Sequence, residues 1–223
     1  ISFHELLGHL IFLFGEMFKK NFFIVFEGIE GSGKTSHSLS LVKKLKSLKV
    51  PCVYLREPGG SKEAECIRDF LLKKENNKFD SLTDTLLYLA ARNENFLKKI
   101  KPLYKKKIII CDRFIDSTLA YQHYGLGVKK NFINFINKEI MGSIKIDYTF
   151  LMYLNVDKSI SRISNRKKLN RYDKFDKSFY RKVQNGYLKI SNKNKSKYMI
   201  INSSKKFEKN QTIIFNQLEK LFK

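Results

Sequence analysis

The chain has 223 residues, 43% of them hydrophobic, which suits one domain with a sizeable core and excludes a disordered polyelectrolyte. Lys and Arg exceed Asp and Glu by 44 to 21, a formal charge of +23 that raises the question of a polyanion partner. Lysine and asparagine are spread along the whole chain rather than gathered in a stripe, so the charge argues for no specific nucleic-acid site.

Residues Ile1–Glu16 contain the apolar stretch "ELLGHLIFLF", shorter than the ~20 residues that span a bilayer and without the leading Lys or Arg of a signal or transit peptide. With Met17 opening "MFKKNFFIVFEG", residues 1–16 are expected to be an N-terminal extension or start-site artefact; a tail packed on a neighbour is the alternative. Residues 17–223 are expected to form one domain, with no membrane span, in the cytoplasm. Cys52, Cys66 and Cys111 lack CxxC spacing and read as separate thiols in a reducing compartment.

In chain order, "FFIVFEG" reads as a buried strand, and Lys34–Leu48 as a helix with a stripe of Leu39, Leu41, Val42 and Leu45. "CVYLR" is a second strand closed by a turn at Glu57-Pro58-Gly59-Gly60. Ser61–Lys73 and Ser81–Tyr104 read as helices, the second opened by a capping box of Ser81 with Asp84. "KIIIC", "YTFLMYL" and "YMII" are further strands, and Phe207–Phe222 is a closing helix. This alternation predicts an α/β fold: a five-stranded parallel sheet with helices on both faces and ligands at the strands' carboxyl ends. Ser164–Lys177, charged and nearly free of aliphatics, reads as a mobile arm.

Gly28-Ile29-Glu30-Gly31-Ser32-Gly33-Lys34-Thr35 matches GxxxxGK[ST] between a strand and a helix. Its glycines let backbone N–H groups curl around phosphate, the helix N-terminus adds positive potential, Lys34 suits the β- and γ-phosphates, and Thr35 suits Mg²⁺. Asp112 and Arg113 follow a buried strand, the place of a P-loop protein's metal-side carboxylate; a structural ion pair is the plain alternative. Arg56 with Glu57 suggests ligand contact, against a solvated turn. Tyr88 and Arg92 share a helix face, suited to stacking on a base and donating to its edge, although core packing with a surface arginine is commoner. The arm carries Arg162, Arg166 and Arg171, able to close over a transferring phosphoryl group; a solvated charge run is the alternative.

Taken together, "FEGIEGSGKT", "REPGGS", "LLYLAARNE", "DRFIDSTLAYQ" and "RYDKFDKSFYRKVQNGYL" resemble the thymidylate kinase family, particularly its bacterial members, from about Phe22 onward. The resemblance implies the P-loop nucleotide kinase fold, ATP and Mg²⁺ as cofactors, dTMP as acceptor and a homodimer. It implies that Glu30 organises phosphates near the sugar 3′-hydroxyl, that Arg56 and Arg113 bind the acceptor phosphate, and that Tyr88 stacks on thymine while Arg92 reads its carbonyl. Ser117, Tyr121 and Gln122 fall in the motif beside sugar and base, with Tyr121 crowding a 2′-hydroxyl. Thr35 and Asp112 would serve the metal, Arg162 and Arg171 the ATP side, and Arg166 would be the catalytic arginine of a lid at about residues 164–177. Phe114, His123, Leu126 and Asn170 depart from the family pattern and bear on loop shape and lid anchoring.

Overall fold

The computed structural model of the chain describes residues 22–73, 79–165 and 171–222. Five strands, β1 (Phe23–Glu27), β2 (Cys52–Arg56), β3 (Ile108–Asp112), β4 (Tyr148–Tyr153) and β5 (Tyr198–Asn202), form one sheet in the order β2-β3-β1-β4-β5. All four pairings are parallel. β1 and β3 are buried along their whole length between two helical layers, each an apolar run closed by a carboxylate, Glu27 and Asp112.

The first helix, α1 (Lys34–Ser47), buries Ser38, Leu41, Val42 and Leu45 against the sheet. Leu39, expected in that stripe, lies off the helical period and is 46% exposed. α2 (Lys62–Leu72) is capped by Ser61, whose side chain accepts from Ala64 N. α3 (Ser81–Asn95) is capped one residue earlier than expected, by Asp80 accepting from Leu82 N. Asp84 does not close a capping box; it is buried and accepts from Tyr172 Oη at 2.9 Å. The expected helix to Tyr104 continues as a π-turn (Phe96–Ile100) and a short α-turn (Lys101–Leu103). Pro102 has no N–H for the regular ladder, which accounts for the local change.

α4 (Ile115–Thr118) runs into a second π-turn, Leu119–Gly125. α5 (Lys130–Met141), α6 (Val156–Ser164), α7 (Lys177–Lys193) and α8 (Phe207–Phe222) complete the chain in order. Asn155 and Asp176 cap α6 and α7.

The arm expected at 164–177 is only partly polar in place. A 3₁₀ turn spans Arg171–Lys174, Tyr172 is buried, and Phe175 stacks on Phe179 at 3.9 Å. Aromatic burial therefore anchors its second half, which a count of charged residues does not reveal. No described helix is long and apolar enough to cross a membrane. All three cysteines are free.

Candidate active site

The carboxyl ends of β1 and β3 lie side by side, Phe26 opposite Asp112, and this register builds the site. β1 delivers the P-loop. Gly28 sits at φ 141°, where an added Cβ would fall 2.4 Å from Met152 O, so no side chain fits. Gly33, at φ 84°, makes the left-handed entry into α1 that a Cβ would strain. Two bonds from α6 brace the loop from outside: Ser159 Oγ donates to Glu30 O at 2.6 Å, and Arg162 Nη1 donates to Gly31 O at 3.0 Å. Arg162 also donates to Ser203 O. Ile29 contributes its carbonyl, since its side chain is in the core.

Lys34 folds back over the loop, Nζ donating to Ile29 O at 2.8 Å and to Ser32 Oγ at 3.4 Å. Burial, then the Arg113 charge, lowers its pKa to about 7 against the pull of Asp112 and Glu30. Thr35 Oγ1 donates to Asp112 Oδ2, which also accepts from Tyr54 Oη at 3.4 Å. Hydroxyl and carboxylate oxygens thus meet beside the loop, as hard donors suited to Mg²⁺. Two such oxygens suit an ion that keeps water and phosphate oxygens as its other ligands.

β3 delivers Arg113 at its end. Its guanidinium donates to Glu30 Oε1 at 2.7 Å and Gly28 O at 2.9 Å, and lies 5.2 Å from the Tyr121 ring centroid. Tyr121 Oη in turn donates to Glu30 Oε2. Burial works to raise the Glu30 carboxyl, but Arg113 and Lys34 outweigh it and hold it below its ordinary value.

Beside this knot opens a cavity of about 230 Å³ lined by Glu30, Arg56, Tyr88, Arg92, Arg113, Ser117, Tyr121 and Gln122, together with Lys34, Thr35 and Asp112. The sequence-predicted acceptor residues are therefore gathered in one place. At Arg92 and Glu57 the plain alternatives, a surface arginine and a solvated turn, do not hold. Arg92 is not a surface arginine: it is 2% exposed, with Nε donating to Glu57 Oε2 at 2.7 Å and Nη1 to Asn137 Oδ1 at 2.8 Å. Glu57 is correspondingly buried rather than solvated in its turn. Arg56 pairs with Glu65 at 2.9 Å and stays largely exposed at the cavity rim.

Tyr54, Arg68, Leu72, Phe114, Thr118 and Tyr172 also line the cavity and were not singled out as ligands from the sequence. Arg68 donates to Pro58 O at 2.6 Å, and burial followed by Arg56 lowers its pKa. Tyr172 accepts from Gln122 Nε2 at 3.2 Å and packs edge-on against Tyr121 at 5.5 Å. A lone tyrosine within a charged run was the available signal for it. Of the family departures, Phe114 is fully buried under the Arg92 guanidinium, His123 Nδ1 lies 2.8 Å from Val128 O, and Leu126 packs on the core. Arg166, Asn170 and the side chain of Arg171 lie outside the described residues, as does the segment 1–16.

The thymidylate kinase family model matches residues 26–214. The thymidylate kinase of Aster yellows witches'-broom phytoplasma is 41% identical over 204 residues, covering 90% of this chain and 98% of that protein. That of Sulfurihydrogenibium sp. is 37% identical over 199 residues, 89% of this chain and 97% of the relative. The crystal structure of thymidylate kinase from Ehrlichia chaffeensis superposes with a TM-score of 0.73 at 34% identity, covering 89% of this chain and 99% of that one.

Proposed function

The chain belongs to the thymidylate kinase family, and from that premise we propose that it transfers the γ-phosphoryl group of ATP to dTMP, giving ADP and dTDP for dTTP synthesis. The observation that carries this reading is the Arg113–Glu30 pair at 2.7 Å, which ties the P-loop to the wall of the acceptor cavity. A phosphate held by Arg113 lies next to one held by the loop and Lys34, which is the in-line proximity that phosphoryl transfer requires.

On this reading the backbone N–H groups of Gly31–Thr35 and Lys34 hold the donor phosphates. Thr35 and Asp112 would hold a Mg²⁺ ion, which would supply charge neutralisation to the donor phosphates. Arg113 holds the acceptor phosphate, with Arg56 at the rim. Tyr88 faces the base, Arg92 donates to its edge from a guanidinium fixed by Glu57 and Asn137, and Tyr121 crowds the sugar position where a ribonucleotide carries its extra hydroxyl. A transferring phosphoryl group spreads charge over its oxygens, and the loop itself, Glu30-Gly31-Ser32, offers no arginine. Arg162 and Arg113 already serve backbone carbonyls and Glu30, and it is the family resemblance that favours Arg166, over Arg162 and Arg171, as the arginine that closes on the transition state.

We further propose a homodimer. Leu82 and Leu86, an i,i+4 pair on α3, are 47% and 48% exposed, and Phe70 on the adjoining α2 is 43% exposed; a second copy would cover this apolar patch. The compartment that fits nucleotide substrates and free thiols is the cytoplasm. The reaction is tested by ³¹P NMR of a mixture of enzyme, ATP, Mg²⁺ and dTMP. Equal growth of dTDP and ADP is expected; release of inorganic phosphate with dTMP unchanged would overturn the assignment.

A further inference from the structure

Glu27, the last residue of β1, is 1% exposed and does not line the cavity, yet four donors converge on it. Oε1 accepts from Phe114 N at 2.8 Å and Ser117 N at 3.1 Å. Oε2 accepts from Ser117 Oγ at 2.6 Å and Tyr187 Oη at 3.1 Å. Those two hydroxyls are also 2.7 Å from each other, and each lies 3.2 Å from Arg113 Nη1.

The hydrogen inventory decides the direction of these bonds. Each hydroxyl has one hydrogen, and Arg113 can only donate. Whether Tyr187 donates to Ser117 or directly to the carboxylate, the chain of hydrogens ends on Glu27 Oε2. Both hydroxyl oxygens then turn lone pairs toward Arg113 Nη1, which gives one of its two hydrogens to Gly28 O and shares the other between them. The backbone tells the same story. Arg113 sits at φ 68°, a left-handed conformation that is strained for a non-glycine residue. Its own N–H donates to Phe26 O at 2.9 Å, and the next N–H, of Phe114, is held by Glu27.

We infer that Glu27 is a positioning residue for the acceptor phosphate: it orients the Ser117 and Tyr187 hydroxyls to receive the Arg113 guanidinium, and it pins the turn that presents Arg113. This rests on the reading of Arg113 as the phosphate ligand. Burial and then Asp116 lift the Glu27 pKa to about 7, while Ser117 and Arg113 pull it down. A proton on Oε1 would face two backbone N–H donors, and one on Oε2 would reverse the hydroxyl chain, so the bonds described are those of the carboxylate.

Glutamine cannot replace it. With its NH₂ toward the hydroxyls, the hydrogen chain reverses and a hydroxyl hydrogen turns on Arg113; with its NH₂ the other way, it meets two backbone N–H groups. The test is calorimetric titration at pH 8 of dTMP and, separately, thymidine into wild type, Glu27→Gln, Tyr187→Phe and Arg113→Lys. Glu27→Gln is expected to weaken dTMP roughly tenfold or more while thymidine, which has no phosphate, stays within about twofold. Tyr187→Phe, which keeps its shape and loses one relay, should show the same pattern at smaller size, and it carries the test alone if Glu27→Gln does not fold. An unchanged dTMP affinity in either folded variant, or equal weakening of both ligands, would overturn the inference. If Arg113→Lys leaves dTMP binding unchanged, the phosphate reading of Arg113 itself fails, and the inference with it.

Discussion

Tyr121 gives its phenolic hydrogen to Glu30, so the ring that walls the acceptor cavity is fastened to the loop that holds the donor phosphates. The ring is further boxed in by Tyr172 at 5.5 Å and Tyr187 at 6.3 Å. A side chain held on both edges cannot swing away from an extra hydroxyl. Tyr121→Ala is therefore expected to lower the preference for dUMP over UMP, each assayed as acceptor by kcat/KM, by roughly tenfold. An unchanged ratio would mean that the sugar lies elsewhere.

The Arg92–Glu57 pair should matter to stability as well as to base reading. Both side chains are nearly fully buried, 3% and 4% exposed, and Asn137 takes a further guanidinium N–H. Arg92→Ala leaves a buried carboxylate without its partner, which costs about 3–5 kcal/mol in such sites. Glu57→Gln with Arg92→Met, which removes both charges, should recover much of that loss. Urea unfolding of wild type and the two variants measures it; equal stability of Arg92→Ala and wild type would contradict the burial of this pair.

How much of this was legible beforehand depended on the range of the interaction. The P-loop is a local rule of strand, spacing and helix, so Gly28 to Thr35 read directly. Asp112 and Arg113 read through their place after an apolar strand. Arg92 reads as a candidate from the helix face it shares with Tyr88, but its burial does not, because its partners Glu57 and Asn137 lie 35 and 45 positions away and no local period announces a buried ion pair. Arg68 looks like any charged residue on an amphipathic helix. Tyr172 was hidden by the charges around it, and Glu27 by sitting in a strand whose neighbours are all core. The cap of α3 moved by one residue because Asp80 and Ser81 are both competent caps and only the chain's path selects between them.

His37 makes acid stability specific. It is buried, stacks on Phe207 at 4.4 Å, and its Nδ1 lies 2.5 Å from Gln211 Nε2, an arrangement that needs an unprotonated ring nitrogen. Burial lowers its pKa to about 4, below the unfolded value near 6.5. The unfolded chain therefore binds the proton first, so this contribution is full above about pH 6.5 and is lost as pH falls toward 4. About 1–2 kcal/mol should go between pH 7 and pH 5. His37→Gln should flatten that part of the stability profile, read as Tm against pH; an identical slope would assign the acid loss to carboxylates.

The lid arginine is a transition-state claim. If Arg166 closes on the transferring group, Arg166→Ala lowers kcat roughly 10³-fold or more while the KM for ATP moves only a few-fold. A kcat within a few-fold of wild type would move that role to Arg162 or Arg171.

The whole account turns on which monophosphate the cavity accepts. One coupled assay of ADP release, with ATP and Mg²⁺ fixed and dTMP, dUMP, dCMP, dAMP, dGMP and UMP as acceptors, measures it directly. The account predicts the highest kcat/KM for dTMP, with UMP lowest among the pyrimidines. A purine or a cytidine nucleotide matching or exceeding dTMP would contradict it.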